Sequence, residues 1–195
     1  TNTKQYRSIV SALQYLTITR PDISFSVNKV CQFMQEPKDG HWKAVKRILR
    51  YIKGTIDYGL LMKKSNNLNI TGYTDADWGT NPDDRRSTTG YCIYIGDNPV
   101  SWCSKKQSVI SRSSTEAEYR SVASATAEIM WIQSLLHELN IKLQAKPTLW
   151  CNNQSTVYMS ANPILHSRTK RIEIDLYFVR EQIQKRNLHV NHLPS

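Results

Sequence analysis

The apolar pattern of this chain changes period once, near residue 65. Before that point apolar residues recur every three or four positions; after it they alternate. A chain patterned this way joins a helical segment to one built on a sheet. Tyr6, Ile9, Leu13 and Leu16 predict a first helix. Pro21 ends that pattern and fits the first turn of the next helix, beside Asp22. Ile23, Val27, Val30 and Met34 carry the second stripe, and Trp42, Val45, Leu49 and Ile52 the third. Gly54 is expected to cap that third helix at its C-terminus. Ser65-Asn66-Asn67 reads as a connector, which places a helical lobe at 1–64 and a second domain at 68–195.

Past the connector, Leu68, Ile70, Gly72 and Thr74 alternate with their neighbours, as do Tyr91, Ile93 and Ile95. Val100 to Cys103 predicts a third short strand, with turns at 83–86 and 96–99. A long helix is expected over about 115–139, then a strand at 148–151. Helices at about 154–161 and 170–186 and a strand at 188–193 complete the pattern. The order β-β-β-α-β-α-α-β predicts an α/β fold with a mixed sheet covered by helices.

Charge narrows the partners. The chain has 26 Lys and Arg against 16 acids in 195 residues, a net charge of +10. Residues 1–67 hold 12 of the basic side chains and only 4 of the acidic ones. Away from its apolar stripe the third helix carries Lys43, Lys46, Arg47, Arg50 and Lys53 with no interleaved acid. Such a face is either a solvated surface or a phosphate contact, and five like charges favour phosphate. Arg85, Arg86, Lys105 and Lys106 are further candidates for phosphate contact, or an exposed hairpin.

Cys31, Cys92, Cys103 and Cys151 form no CxxC pair, so they read as thiols in a reducing compartment rather than a disulfide frame or a zinc site. No run of 18 apolar residues occurs, so no membrane span is expected. The chain opens Thr-Asn-Thr without a charged-then-apolar leader. It reads as a piece of a longer intracellular protein, not a secreted precursor. His41, His137, His166, His189 and His192 show no metal-ligand spacing. The tryptophans read as packing residues, with any exposed one available to stack on a base.

Four residues are candidates for the chemistry. Asp75 and Asp77 end the first strand and, two residues apart, point to one face. Glu118 lies at the start of the long helix, whose apolar stripe is Val122, Ala125, Ile129, Ile132 and Leu136. Extended back by four, that stripe lands on Glu118. An acid on a buried face needs a partner or a metal; Thr115-x-x-Glu118 is equally a capping box. Asn152 is the polar residue at the end of the fourth strand, where α/β sheets place ligands.

Several blocks resemble the ribonuclease H domain of Ty1/copia retrotransposon polyproteins. They are Gly72-Tyr-Thr-Asp-Ala-Asp-Trp78, Arg85-Arg-Ser-Thr-Thr-Gly-Tyr91, Ser101-Trp-Cys-Ser-Lys-Lys-Gln107, Ser113-Ser-Thr-Glu-Ala-Glu-Tyr119, Cys151-Asn-Asn-Gln-Ser155 and His166-Ser-Arg-Thr-Lys-Arg-Ile-Glu-Ile174. The first third resembles the thumb and connection end of the reverse transcriptase, through Tyr6-Arg-Ser-Ile-Val-Ser-Ala-Leu13, Thr19-Arg-Pro-Asp-Ile23 and Lys46-Arg-Ile-Leu-Arg-Tyr-Ile-Lys-Gly54. No Tyr-x-Asp-Asp polymerase element is present.

The resemblance implies a ribonuclease H-like fold with an N-terminal helical lobe, and cleavage of the RNA strand of RNA–DNA hybrids. It implies two Mg²⁺ ions about 3.5–4 Å apart, with Mn²⁺ able to substitute. The partners it implies are the hybrid and the rest of the reverse transcriptase. Asp75 and Glu118 match the first two acids, and Asp77 is a weaker candidate. The third acid of the family falls at Asn152, a loss of charge that predicts impaired cleavage. The family's fourth acid follows the last strand on a helix that this chain lacks; Asp175 is the lesser substitute. Arg171 stands where the family usually has His. A hybrid-binding module without catalysis, or a packing platform for the polymerase, are the alternative roles.

Overall fold

The computed structural model describes residues 2–81, 83–162 and 172–194. The chain divides into two compact units, Thr1–Met62 and Lys63–Ser195.

The first unit holds α1 (Thr3–Leu16), a single 3₁₀ turn (Pro21–Ile23), α2 (Ser24–Cys31) and α3 (Asp39–Gly54). Asn2 caps α1 by accepting the Gln5 N–H at 3.1 Å. Tyr6, Val10, Leu13, Ile23, Val27, Val30, Val45 and Ile48 make its core. The Tyr6 hydroxyl donates to Val30 O at 2.8 Å, so the one polar atom on that buried ring is satisfied. Arg20, only 5% exposed, ties the unit together. It forms a bidentate pair with Asp22 and donates to Thr55 O and Oγ1. The guanidinium holds the Asp22 carboxyl below its ordinary range.

Two expectations for α3 need correction. Its inward stripe runs through Ile48, not Leu49, which is 39% exposed. The stripe is therefore Trp42, Val45, Ile48 and Ile52, set by what packs against the helix. Gly54 is the last helical residue, not a left-handed cap. Thr55 follows it as the cap, with φ −132°.

The second unit is a five-stranded mixed sheet in the order β3-β2-β1-β4-β5. β1 (Ile70–Asp77), β2 (Thr88–Ile95) and β3 (Asn98–Lys106) form an antiparallel meander. β4 (Thr148–Cys151) joins β1 in parallel, and β5 (His189–His192) joins β4 in parallel. Between these strands run α4 (Ser114–Glu138), α5 (Gln154–Ala161) and α6 (Glu173–Gln184). This order and strand sense is the ribonuclease H-like fold. The Arg171 position and the 163–171 stretch, including His166, lie outside the described residues.

Alternation along β1 buries Ile70, Gly72, Thr74 and Ala76 on one face, against α4. Ile129, Val122, Ala125, Leu149, Leu176 and Leu188 fill the core there. A Cβ on Gly72 would lie 2.9 Å from Leu149 Cδ1 and 3.2 Å from Ile129 Cδ1. Glycine here leaves room for those two side-chain tips where α4 and β4 pack on β1.

Candidate active site

The parallel pairing of β1 and β4 places Thr74 opposite Cys151. The next residues, Asp75 and Asn152, therefore leave adjacent strands side by side. Asn152 Nδ2 donates to Asp75 Oδ1 at 3.0 Å. Glu118 reaches the same point from α4 and is 5% exposed. Its Oε1 accepts the Ala76 N–H at 3.2 Å, and its Oε2 lies 4.0 Å from Cys151 Sγ. Asp75, Glu118 and Asn152 thus converge from three elements.

Burial pushes the Glu118 carboxyl up from its ordinary 4.5 to about 8; the Ala76 N–H opposes this, and the charge of Asp75 adds to it. Glu118 therefore holds its proton more tightly than an ordinary glutamate. The Cys151 thiol is pushed up to about 11, first by burial and then by the neighbouring acids, so it stays un-ionised.

The capping-box alternative for Glu118 does not hold. Ser113 is the N-cap and accepts the Glu116 N–H at 3.1 Å, while Glu116 Oε2 accepts the Arg112 N–H at 2.8 Å. The cap begins two residues earlier than the Thr115 spacing indicates, which leaves Glu118 free to face β1.

Three residues that sequence reasoning missed hold this geometry. Ser121 is fully buried, and its hydroxyl lies 2.8 Å from Asp75 O and 2.7 Å from Thr74 Oγ1. It pins α4 to the backbone of Asp75. Gln107 donates to Ala117 O at 2.9 Å and Thr89 Oγ1 at 3.1 Å, and accepts from Ser111 Oγ. His192 Nε2 lies 3.1 Å from Asn152 O; a carbonyl only accepts, so that nitrogen carries the proton. Ser121 was detectable as a polar residue one turn after Glu118 on the buried face. His192 gave no local signal.

The other candidates fall elsewhere. Asp77 closes the turn after β1: Oδ2 accepts Thr80 Oγ1–H at 2.6 Å and Oδ1 accepts the Thr88 N–H. Asp175 lines a separate cleft of about 460 Å³ with Thr89, Tyr91, Lys105 and Arg120. Burial raises its carboxyl and the Arg120 charge opposes that. Lys106 and Arg86 both engage Asp84, at 2.7 and 3.6 Å, while Arg85 and Lys105 are exposed. Lys43, Lys46, Arg47, Arg50 and Lys53 all lie exposed on α3. Among the described residues, no group of three or more His, Cys, Asp or Glu side chains could hold a metal ion. No helix among them is long and apolar enough to cross a membrane.

The sheet order, with two acids at the junction of β1 and α4, defines a ribonuclease H-like domain. No family model matches the chain. It is 51% identical over 191 residues to the retrovirus-related Pol polyprotein from transposon RE2 of Arabidopsis thaliana, covering 98% of this chain and 13% of that protein. It is also 51% identical over 195 residues to the Pol polyprotein from transposon RE1 of the same plant, covering 100% of this chain and 13% of the relative. The chain belongs to the Pol polyproteins of copia-type retrotransposons, and spans about an eighth of the length of these two. Among solved structures, LC11-RNase H1 isolated from compost overlaps 65% of this chain and 85% of its own, at 15% identity and a TM-score of 0.49.

Proposed function

We propose that the Lys63–Ser195 unit is the ribonuclease H domain of a copia-type Pol polyprotein, acting on the RNA strand of RNA–DNA hybrids with cleavage attenuated by Asn152. The observation that carries this reading is the convergence of Asp75, Glu118 and Asn152 at the ends of β1 and β4. In the same reading the Thr1–Met62 unit is the thumb and connection end of the reverse transcriptase, and its α3 cations track the phosphate backbone. The parent polyprotein works inside the cell, with the rest of the polymerase as partner.

Mg²⁺ and Mn²⁺ take hard oxygen ligands. Asp75 and Glu118 supply two such carboxylates within reach of each other, which fits one divalent cation. They do not fit two. Asn152 adds no negative charge, and its amide N–H is engaged with Asp75 rather than turned toward a ligand. A bound divalent cation supplies Lewis-acid polarisation of a phosphate oxygen and a more acidic water. The chain's own residues do the rest. Asp75, exposed at the strand end, is the group a phosphate or its cation meets first. Glu118 must release its proton to act as a ligand, and its buried position makes that release costly. Asn152 holds the Asp75 carboxylate in one orientation, and Ser121 holds the Asp75 backbone.

The hydrogen bond from Asn152 to Asp75 also favours a second reading, a hybrid-binding module that does not cut. It occupies a carboxylate oxygen that catalysis needs. Cleavage of a labelled RNA–DNA hybrid with Mg²⁺ and with Mn²⁺, by this chain and by Asn152→Asp, separates the two. Cleavage that appears, or rises at least a hundredfold, only in Asn152→Asp supports the attenuated nuclease. Binding without cleavage in both supports the module. Strong cleavage by the unsubstituted chain refutes the placement of the third acid at Asn152.

A further inference from the structure

Trp78 leaves the end of β1 three residues after Asp75 and is 53% exposed. It belongs to neither core cluster among the described residues. An aromatic side chain this open ordinarily samples several rotamers. Here the indole N–H donates to Ser111 O at 3.2 Å, which holds the ring against the loop before α4. The loop beneath it is held as well. Gly79, at φ +60°, donates its N–H to Ser87 Oγ at 3.1 Å, and Asp77 latches Thr80 and Thr88. Val109 and Ile110, just before Ser111, are 44% and 53% exposed.

Two exposed arginines belong to the adjoining loops. Arg112 follows Ser111 in the chain, and the Arg85 backbone oxygen lies 3.7 Å from where a Cβ on Gly79 would sit. An exposed ring held in place three residues past Asp75, with exposed arginines in the two adjoining loops, suits a nucleotide: a flat sugar–base surface with phosphates for the loop cations.

We propose that Trp78, with Arg85 and Arg112 from the adjoining loops, is a nucleotide-seating platform that receives the base or sugar face of a strand past the end of β1. This rests on the hybrid-binding reading above and adds to it the contact that sets strand register. The α3 cations attract phosphates anywhere along a duplex. A single pinned ring instead prefers one nucleotide position, and because the ring is already immobilised, seating the strand costs little further side-chain freedom. Stacking on an aromatic face is worth roughly a five- to hundredfold gain in affinity.

The test is hybrid binding by the full chain, its Trp78→Ala and its Trp78→Phe variants, followed by anisotropy of a labelled RNA–DNA hybrid across a salt series. Trp78→Ala should lose roughly five- to hundredfold in affinity with an unchanged slope against log salt, since a ring releases no counterions. Trp78→Phe should retain most of the affinity. In the unsubstituted chain, hybrid should quench indole fluorescence, and Trp78→Phe should remove that quenching even if Trp78→Ala fails to fold. Equal affinity in all three with undiminished quenching in Trp78→Phe overturns the platform and leaves the hybrid-binding reading intact. A reduced salt slope in Trp78→Ala makes the effect one of displaced cations and also overturns it. No hybrid binding by the unsubstituted chain overturns both.

Discussion

Glu118→Gln is the substitution whose effect follows most directly from the site. In the fold the Glu118 carboxyl is raised from 4.5 to about 8. An acid whose pKa is higher when folded binds its proton more tightly in the native state. Stability is therefore fullest below pH 4.5 and declines as pH rises toward 8, because over that interval the unfolded chain ionises freely and the folded chain does not. A shift of this size corresponds to about 3–5 kcal/mol across the interval, at about 1.4 kcal/mol per pH unit. Glutamine copies the protonated acid: its oxygen can accept the Ala76 N–H and its amide can donate toward Asp75. It does not ionise, so the decline should vanish. For a domain of this size each kcal/mol moves the melting temperature by roughly 3–5 °C. Thermal melts of both proteins in metal-free buffer from pH 5 to 9 should show a small difference at pH 5. By pH 8.5 to 9 the variant should melt roughly 10–20 °C higher. Comparing the two proteins at each pH cancels groups that titrate in both. A difference that stays flat over this range, or one that favours the glutamate at high pH, would refute the account of Glu118 as a buried acid beside Asp75.

Two further outcomes test other parts of the molecule. If the five α3 cations contact phosphate, hybrid affinity should fall against log salt with a slope of roughly −4 to −5. Replacing Lys46, Arg47 and Arg50 by Gln should lessen that slope by about 2 to 3, and an unchanged slope removes α3 from the interface. Gly72→Ala should destabilise the second unit by about 1–3 kcal/mol through overpacking against Leu149 and Ile129. A denaturant midpoint equal to that of the unsubstituted chain would show that the two side chains yield without cost.

Much of the architecture was legible because local patterns carry it. The 148–151 and 154–161 elements fall where the alternation and turn residues place them, and β1 to β3 differ from expectation only at their ends. The backward extension of the α4 stripe placed Glu118 on the face toward the sheet, because residues four apart on a helix share a side. What failed was finer. Leu49 and Ile48 are both apolar, and only the partners packed against α3 decide which turns inward. Thr115 and Ser113 are both competent caps, and the backbone path into α4 selects Ser113.

The amino-acid order alone determined the change from helical to alternating pattern, the element order, the basic face of α3 and the amide at position 152. Each is a property of neighbouring residues or of one residue type. Tertiary structure alone decided which polar groups meet. Asn152 lies against Asp75 because β4 pairs in parallel with β1 across an interval of 77 residues. The Ser121 hydroxyl finds Asp75 O because α4 packs directly on β1. His192 reaches Asn152 O from a strand 40 residues away. Asp175 is kept with Arg120 in a separate cleft. Sequence spacing sets which face of an element a side chain occupies. The distance between two faces depends on the strand pairing and core packing of the whole domain, and on that distance rest both the raised carboxyl of Glu118 and the grip of Asn152 on Asp75.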